Sequence, residues 1–372
     1  MQASRDKPDR VRYTCGVNPT RNTSLAPLTS LAVGGPAEQL YTCTSTEELQ
    51  TVLAKTPGEH PWVLGYGANV LISDAGLPGT TVLIRNTNIS RQNDTNLVVV
   101  DAGVWWDDLV QFAIREDLWG LELMSGIPGG VGAAIVGNIA AYGQAVADTV
   151  QWVEVLDVKT NQVQQLPADQ LGLSYRFSSF HTEQFKDLII VRAAFALTSQ
   201  PAKEVVYQTA LDVAAEFGHD LSTLAGCRET ILKTRERAGS LWDYRTPDAH
   251  LHTAGSFFRN PTVDTETAEK LMSYDETGRS LELLKKMNQV HGGEQKRVSA
   301  AHVLLAAGFQ RGQTWGAVRL HPDHILKIEN TGGATAQDIY SVAMEIVHTV
   351  KSRLNIDLSP EVRFLGEFKE GS

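Results

Sequence analysis

The chain has 372 residues, of which 42% are hydrophobic and 20% are charged, a composition that suits a globular protein of two or three domains. Its formal net charge is −10 and it has no lysine or arginine cluster, which argues against a nucleic-acid partner, because phosphate contacts need concentrated positive charge. The cysteines at 15, 43 and 227 have no spacing that suits a metal site or a disulfide framework.

The first 21 residues are polar and charged, and they lack the apolar core of a secretory signal peptide. No stretch of the chain approaches the roughly 18 apolar residues of a membrane helix. We therefore expect a cytoplasmic protein without a membrane partner, and we expect it to be a monomer. Residues 1–21 are predicted to be an N-terminal extension that carries no fold information.

The first part of the chain combines short strands with two helices. Ser45 and Glu48 form a capping box before apolar residues at helical spacing, which predicts a helix over 46–55. A second helix is predicted over 107–116. Four short strands are predicted at 62–64, 70–72, 81–84 and 97–100.

The middle of the chain is predicted to be sheet, and the part beyond residue 200 is mainly helical. Segments 150–155 and 163–166 bracket a turn and predict a hairpin, and 188–197 is a strong strand. Helices are predicted at 203–217, 224–236, 265–273, 281–288, 299–307 and 337–353. A short strand region at 315–328 and a final strand at 361–365 complete the pattern.

Two glycine-rich stretches are the strongest chemical signals in the sequence. One is Gly-Tyr-Gly-Ala-Asn at 65–69, and the other runs from 126 to 134 and on through 138–143. Glycine and other small residues let backbone N–H groups approach a ligand closely, so such stretches often line a phosphate, a pyrophosphate or a flat ring. The alternative is a turn or helix start that packs tightly on a neighbouring element.

The first glycine-rich stretch begins like a dinucleotide fingerprint but lacks the structural context of one. Its third glycine position is occupied by Val70, and the chain turns at 74–76 into another strand instead of entering a helix. A Rossmann unit requires a strand, the glycines, and then a helix whose N-terminus meets the pyrophosphate. Two anion-binding loops without that unit predict a different dinucleotide-binding fold.

Three polar segments carry further candidate residues. Arg176 lies among aromatic residues and needs a carboxylate or phosphate partner, although a lone arginine is more often part of a structural ion pair. Ser256 follows Gly255 without the Gly-x-Ser-x-Gly elbow of a hydrolase, and the alternative for it is a capping serine. Glu361 and Arg363 are expected on one face of the last strand, where an exposed ion pair is the structural alternative.

The histidines give only a weak metal signal. The His-x-His at 250–252 and the His-x-x-His at 321–324 have no carboxylate cluster nearby, so we predict no metal site. Trp105 and Trp106 are expected to pack in the core instead of forming a stacking surface.

In this order, the two loops and the three segments resemble the UDP-N-acetylenolpyruvoylglucosamine reductase (UDP-N-acetylmuramate dehydrogenase) family over about residues 22–368. Family members carry Gly-x-Gly-Ser-Asn, where this chain has Ala68 in place of the serine. They carry Ile-Pro-Gly-x-x-Gly and then Asn-x-Gly-Ala-Tyr-Gly, which match at 127–132 and 138–143 except at Ala140. Gly137 stands where many members have glutamine.

The three later motifs of the family also match this chain, and they occur in the same order. Tyr-Arg matches at 175–176, Gly-Ser-Phe-Phe-x-Asn-Pro at 255–261, and Pro-Glu-Val-Arg-Phe-x-Gly at 360–366. Many members have Glu or Gln in the helix that is Ala-rich here at 301–307. That departure does not involve Arg176, Ser256 or Glu361.

The resemblance implies an α+β fold. A two-part FAD-binding unit of the vanillyl-alcohol-oxidase (PCMH) type would be followed by a C-terminal α+β substrate-binding domain. We place the FAD-binding subdomains at 22–90 and 91–200, the substrate-binding domain at 201–355, and a C-terminal strand carrying Glu361 at 356–372.

The resemblance also implies a reaction. NADPH would reduce a non-covalently bound FAD, and flavin N5 would then deliver hydride to C3 of UDP-N-acetylglucosamine enolpyruvate, giving UDP-N-acetylmuramate for peptidoglycan. Arg176 and Glu361 would stabilise the negative charge that develops at C2 and its carboxylate. Ser256 would donate the proton to C2, because a hydroxyl is protonated at pH 7 without any shift of its pKa.

The residues carried over from the family fall into two groups. Those implied to bind the cofactor are Gly65, Tyr66, Gly67, Ala68, Asn69, Val70, Gly126, Ile127, Pro128, Gly129, Gly132, Asn138, Tyr142 and Gly143. Those implied to bind the substrate are Tyr175, Tyr207, Arg259 and Asn260. Tyr207 matches a tyrosine that covers the uridine in some members, and its match is the weakest of the four.

Two alternatives to this function stay open. Another FAD oxidoreductase of the same superfamily, acting on an alcohol, a hydroxy acid or a sugar, would keep both loops but need not keep the Ser256 segment. A catalytically inactive nucleotide-sugar binding protein fits the alanine departures, but the intact Arg176, Ser256 and Glu361 argue against it.

Overall fold

A computed structural model of the protein describes residues 16–93, 95–201, 203–245, 252–274 and 296–370. The helices are α1 (Thr46–Lys55), α2 (Trp106–Arg115), α3 (Val131–Val136), α4 (Gln208–Phe217), α5 (Leu224–Arg237), α6 (Thr265–Met272), α7 (Ala300–Ala306) and α8 (Ala336–Leu354). The strands are β1 (Gly16–Ser24), β2 (Pro36–Cys43), β3 (Trp62–Leu64), β4 (Val70–Ile72), β5 (Leu77–Ile84), β6 (Ile89–Arg91), β7 (Leu97–Asp101), β8 (Ala140–Ala141), β9 (Gln144–Ala145), β10 (Val150–Asp157), β11 (Val163–Pro167), β12 (Leu188–Ala196), β13 (Thr262–Val263), β14 (Lys296–Arg297), β15 (Thr314–Trp315), β16 (Val318–Leu320), β17 (Ile328–Asn330) and β18 (Arg363–Leu365).

The first sheet has the strand order β1-β2-β5-β3, and it holds the strand that leads into the first glycine-rich loop. β1 runs antiparallel to β2, whereas β2 and β3 both run parallel to β5. Helix α1 begins where Ser45 Oγ accepts a hydrogen bond from the Glu48 N–H at 3.2 Å, so the helix predicted over 46–55 is confirmed. Residues 16–21 belong to β1 and pair with β2, so the prediction that they carry no fold information is wrong.

The second sheet, β11-β10-β12-β7-β6, is antiparallel throughout and carries the main core. β10 and β11 form the predicted hairpin. Helices α2 and α3 pack against this core, in which Trp106 and Phe195 are fully buried with ring centroids 6.0 Å apart. The buried Trp106 ring donates from Nε1 to the Met124 carbonyl at 3.1 Å, which confirms the prediction of core packing for this tryptophan.

The C-terminal part is built on the small antiparallel sheet β15-β16-β17 and the long helix α8. α8 begins at Thr335, whose side chain accepts from the Asp338 N–H at 3.1 Å, and it ends at Asn355 in a left-handed conformation. Most of the predicted helices here are confirmed to within two residues. The exceptions are the one predicted at 203–217, which begins only at Gln208, and the one at 281–288, which lies outside the described residues.

The last strand, β18, returns to the first half of the molecule and pairs in parallel with β4. Glu361 is not part of that strand, so the prediction that Glu361 and Arg363 share one strand face is wrong. The backbone before β18 is held by a different segment instead, because the Glu361 N–H donates to the Phe257 carbonyl at 2.8 Å and Phe258 bridges to Pro360. The mixed helix and sheet content confirms the α+β class, and no helix in the described ranges is long and apolar enough to cross a membrane.

Candidate active site

The two glycine-rich stretches face each other across one cavity of about 420 Å³, which we call the glycine-loop cavity. A Cβ atom placed on Gly65 would lie 3.7 Å from Ala133 Cβ, and one placed on Gly129 would lie 3.9 Å from Ala68 Cβ. Nine of the predicted cofactor-binding residues line this cavity, namely Gly65, Tyr66, Gly67, Ala68, Asn69, Val70, Pro128, Gly129 and Gly132.

Backbone N–H groups surround this cavity without acceptors of their own. Among the described residues, the N–H groups of 65–69 and those of Gly129, Gly130 and Ala133 have no intramolecular hydrogen-bond partner. Folded chains leave few such groups unpaired unless a ligand or water accepts from them. A set of N–H donors on two facing loops fits the pyrophosphate of a dinucleotide.

Gly67 shows why the first loop must contain glycine. It has a φ of +64°, and a Cβ at this position would lie 2.1 Å from the Leu28 carbonyl oxygen. The same neighbouring segment holds the loop from outside the cavity, because Ser30 donates from its N–H to Gly67 O at 3.0 Å and from Oγ to Ala68 O at 3.1 Å.

We expect Gly67→Ala to destabilise the protein more than Gly58→Ala. Gly58 also has a positive φ, of +81°, but a Cβ there meets no atom within 4 Å, so it isolates the cost of the backbone conformation, about 1–2 kcal/mol. Gly67→Ala adds the clash with the Leu28 carbonyl, and a backbone shift must relieve it. Urea unfolding and FAD titration of both variants measure the difference, and equal effects would contradict it.

Tyr66 joins the first loop to the second sheet. Its hydroxyl donates to the Gly103 carbonyl at 2.8 Å, and the Arg85 guanidinium lies 4.1 Å from the centre of its ring. Arg85 also donates to the Gly65 carbonyl at 3.0 Å. Burial raises the pKa of Tyr66 and outweighs the opposing effect of Arg85, so the ring stays neutral. The sequence analysis missed Arg85, which belongs to no motif.

Five predicted cofactor-binding residues do not line the cavity, within the part of the chain that the structure describes: Gly126, Ile127, Asn138, Tyr142 and Gly143. Gly126 donates its N–H to Asp107 Oδ1 at 2.7 Å and accepts from Arg235 Nε at 3.1 Å. Ile127 packs against the main core, and Gly143 accepts from Lys203 Nζ at 2.8 Å.

Asn138 is buried, and both ends of its amide bind the protein. Nδ2 donates to the Ser174 carbonyl at 2.7 Å, and Oδ1 accepts from the Ala147 N–H at 3.0 Å. Tyr142 packs edge-on against Tyr207, with ring centroids 5.7 Å apart.

Arg176 lies in a tight turn at one end of the cavity. Ser174 and Phe177 exchange backbone hydrogen bonds of 3.0 and 3.1 Å, and Arg176 between them has a φ of +52°. A side chain in this left-handed region costs about 1–2 kcal/mol, and such strain is found mainly where function requires the residue. Arg176 donates from Nη2 to the Ala140 carbonyl at 3.1 Å.

Glu361 is the ionic partner of Arg176. Its Oε1 atom lies 3.4 Å from Arg176 Nε, and both side chains are about one-fifth to one-quarter exposed, at 21% and 24%. The pair lines the glycine-loop cavity and also a second cavity of about 350 Å³. The structural alternative considered for Glu361, an exposed ion pair with Arg363, is thus not what forms, because Glu361 makes a half-buried pair with Arg176 from a distant segment.

Ser256 lines the second cavity, together with Arg176 and Glu361. The two residues after it, Phe257 and Phe258, are at most 1% exposed, and the Phe257 N–H donates to the Leu326 carbonyl at 2.8 Å. These buried rings fix the backbone from which the Ser256 hydroxyl projects. The structure therefore brings together all three residues that the sequence predicted to be catalytic.

Tyr175 and Asn260 also line the second cavity. The Asn260 N–H contacts the Tyr175 hydroxyl at 3.4 Å, and Asn260 Oδ1 accepts from the Ala300 N–H at 2.9 Å. The Arg297 guanidinium lies 4.1 Å from the centre of the Tyr175 ring. Sequence reasoning missed Arg297, which follows a stretch without any recognised motif.

The other two predicted substrate-binding residues lie elsewhere. Arg259 lines the glycine-loop cavity, and its buried Nε finds no hydrogen-bond partner within the described ranges. Tyr207 precedes helix α4 and lines neither cavity in the described part of the chain. Burial raises the pKa of Tyr207, so it is neutral at pH 7.

Arg311, Asp323 and His324 line the second cavity, and sequence reasoning did not assign them to a substrate site. Burial, followed by the nearby Lys327 and His321, lowers the pKa of His324 to about 4, so its ring is neutral at pH 7. His324 Nδ1 accepts from the Leu326 N–H at 3.3 Å. Among the described residues, no group of three or more His, Cys, Asp or Glu is placed to hold a metal ion.

Two protein-family models match this chain. An FAD binding domain matches residues 37–166, which include both glycine-rich stretches, and a UDP-N-acetylenolpyruvoylglucosamine reductase C-terminal domain matches residues 246–365. Together with the unpaired N–H groups around the cavity, these matches define the class of the protein. It is an FAD-dependent oxidoreductase, with an FAD-binding domain followed by a C-terminal α+β domain.

Relatives of known name match nearly the whole length. The UDP-N-acetylenolpyruvoylglucosamine reductase of Salinispora arenicola is 34% identical, over 94% of this chain and 96% of the relative. That of Thermobifida fusca is 32% identical, over 93% and 98%. The chain belongs to the UDP-N-acetylenolpyruvoylglucosamine reductase family.

A solved structure of the same kind agrees in fold. The crystal structure of UDP-N-acetylenolpyruvylglucosamine reductase from Thermus caldophilus aligns with a TM-score of 0.61 at 24% identity, covering 93% of this chain and 98% of the other. This agreement confirms the fold predicted from the sequence, and the FAD binding domain match together with the named relatives confirms the FAD cofactor.

Proposed function

We propose that this protein uses NADPH to reduce UDP-N-acetylglucosamine enolpyruvate to UDP-N-acetylmuramate, a step in peptidoglycan precursor synthesis. The observation that carries the proposal is the junction of the two cavities. Arg176 and Glu361 line both, and Ser256 lines the second, so a substrate there would meet all three side chains beside the cofactor. Family membership supports the same substrate.

The chain offers a specific place for the FAD. The unpaired N–H groups of 65–69 and of Gly129, Gly130 and Ala133 would hold its pyrophosphate, and Arg176 and Glu361 line the same cavity. The chemistry that a bound FAD would supply is hydride transfer, from NADPH to C3 of the enolpyruvyl group. The protein contributes orientation and the electrostatic field.

Arg176 and Glu361 act where negative charge develops on the substrate. The guanidinium of Arg176 stabilises charge at C2 and its carboxylate, and fixed donors of this kind usually give the largest catalytic effect. Glu361, whose Oε1 is 3.4 Å from Arg176 Nε, orients that cation.

Ser256 donates the proton to C2 of the substrate. A serine hydroxyl is protonated at neutral pH, so it can act as the acid without a pKa shift. The buried Phe257 and Phe258 rings hold its backbone at the wall of the second cavity, which Arg176 and Glu361 also line.

The test is NADPH oxidation by the FAD-loaded protein with and without the enolpyruvyl substrate. We expect oxidation to depend on the substrate and to yield one UDP-N-acetylmuramate for each NADPH consumed. An unchanged flavin on addition of NADPH would favour the inactive binding protein. Reduction of the flavin without reoxidation by this substrate would favour another oxidoreductase of the superfamily.

We further propose that the protein is a cytoplasmic monomer without a nucleic-acid or membrane partner. Sedimentation of the FAD-loaded protein tests the monomeric state.

We predict that acid precipitation releases the FAD into the supernatant. Neither glycine-rich stretch contains a histidine or cysteine that could bind the flavin covalently. Among the described residues, two histidines line the same cavity outside those stretches. Each is held by the backbone, since His60 Nε2 contacts the Lys186 carbonyl at 2.6 Å and His181 Nδ1 contacts the Ser178 backbone. A yellow pellet would show covalent attachment, and His60→Ala and His181→Ala would identify the residue.

A further inference from the structure

The turn that carries Arg176 is held from two sides by residues that line neither cavity in the described part of the chain. Arg176 keeps a φ of +52° between Ser174 and Phe177, a conformation that a non-glycine residue leaves unless its surroundings fix it. The direction of the Arg176 guanidinium depends on that turn, so its neighbours bear on catalysis.

Asn138 holds the turn from the side of the FAD-binding unit. Its Nδ2 donates to the Ser174 carbonyl at 2.7 Å, and its Oδ1 is occupied by the Ala147 N–H at 3.0 Å. The side chain is 5% exposed, so these bonds are shielded from water. Asn138 thus fixes the first residue of the turn relative to the second glycine-rich stretch.

Arg297 holds the turn from the side of the C-terminal domain. Its guanidinium lies over the Tyr175 ring, with Cζ 4.1 Å from the ring centroid, and its Nη1 donates to the Asn260 carbonyl at 2.9 Å. The Asn260 N–H contacts the Tyr175 hydroxyl at 3.4 Å. Tyr175, the residue next to Arg176, is therefore held at its ring face by Arg297 and at its hydroxyl by Asn260, two residues of the C-terminal domain that are hydrogen-bonded to each other.

We propose that Asn138 and Arg297 are positioning residues, which hold the Arg176 turn between the two domains so that the guanidinium faces the substrate and Glu361. This inference rests on the proposed function for the step it affects. Arg176 acts when charge develops on the enolpyruvyl group and not when NADPH reduces the flavin. Loss of either support should therefore slow the second half-reaction and spare the first.

The test compares Arg297→Gln, Arg297→Lys and Asn138→Ala with Arg319→Gln as the control. Arg319 lies in the same domain and is paired with Glu329 at 2.7 Å, but it lines neither cavity in the described ranges. In stopped flow, we expect Arg297→Gln and Asn138→Ala to slow flavin reoxidation by the enolpyruvyl substrate at least tenfold. Flavin reduction by NADPH should stay within about twofold, and Arg297→Lys should recover much of the loss because an ammonium also binds an aromatic face.

Hydrogen–deuterium exchange of the FAD-free chain gives a readout that does not depend on the reaction. We expect faster exchange at 174–177 in Arg297→Gln and Asn138→Ala, and no change in Arg319→Gln. Unchanged exchange, equal slowing of both half-reactions, or no recovery with lysine would each overturn the inference. A wild-type protein whose reduced flavin is not reoxidised by the substrate would instead refute the proposed function, and the exchange result would still decide whether the turn is held as described.

Discussion

Ser256→Ala should reduce its flavin with NADPH at close to the wild-type rate and then stall when the enolpyruvyl substrate is added. The reason is that a proton donor to C2 acts only after hydride has reached C3, whereas the first half-reaction needs no proton there. Stopped-flow flavin absorbance follows the two steps separately. Ser256 borders the second cavity beside Arg176 and Glu361, where the substrate would lie.

Two further variants sharpen this test. Ser256→Cys should recover part of the second half-reaction, because a thiol is also protonated at neutral pH but differs in size. Ser352→Ala is the matched control, since that exposed hydroxyl only donates to the Thr349 carbonyl within α8. Equal slowing of both half-reactions would make Ser256 a residue that shapes the site. A wild-type rate of reoxidation in Ser256→Ala would assign the proton to another donor, such as a bound water.

Glu361→Gln and Arg176→Ala should each lower turnover by about a hundredfold to a thousandfold, the usual effect of losing electrostatic stabilisation of a developing anion. Arg176→Ala removes the cation itself, and Glu361→Gln removes the carboxylate that orients it. The two side chains form one pair at the junction of the cavities, so the double variant should lose less than the product of the two single effects. Steady-state kcat with saturating NADPH and substrate measures this, and unfolding midpoints check that the fold is kept.

The control for these variants is another arginine–glutamate pair. Arg192 binds Glu154 in a bidentate geometry with distances of 2.8 and 2.9 Å, on an open face of the second sheet. Glu154→Gln should leave turnover unchanged and alter stability by less than about 1 kcal/mol, since exposed pairs contribute little. Wild-type turnover in Glu361→Gln or Arg176→Ala would reduce their contact to a structural ion pair of the same kind.

Local sequence signals predicted the regular elements well because the structure keeps the local chemistry they describe. The capping box at Ser45 forms, and α1 begins and ends where the spacing of apolar residues places it. Helix α4 is shorter than predicted because Tyr207 is still in an extended conformation at its start. The domain boundaries near 90 and 200 stay predictions.

The chemistry at the site was less accessible to sequence reasoning. A period-two pattern at 361–363 predicted a strand, but Glu361 is held by the Phe257 carbonyl and its carboxylate meets Arg176, a partner from a distant segment that no local pattern reveals. The left-handed conformation of Arg176 is equally invisible, because glycine and asparagine are the residues that usually indicate it. Asn138 belongs to a motif that implied cofactor binding, yet both ends of its amide make hydrogen bonds within the protein.

The pairing of β18 with β4 has a consequence for biosynthesis. Asn69 Nδ2 donates to the Glu361 carbonyl at 3.3 Å, although the two residues are 292 positions apart in the sequence. The first glycine-rich stretch is therefore translated long before β18, the strand that pairs next to it. The equilibrium cost of so long a closure is modest, since it grows only with the logarithm of length, but such distant contacts form late in folding. We therefore expect FAD to be captured only after translation ends. A nascent chain stalled before residue 361 would carry both glycine-rich loops, and it would lack the strand and the carboxylate that complete the site.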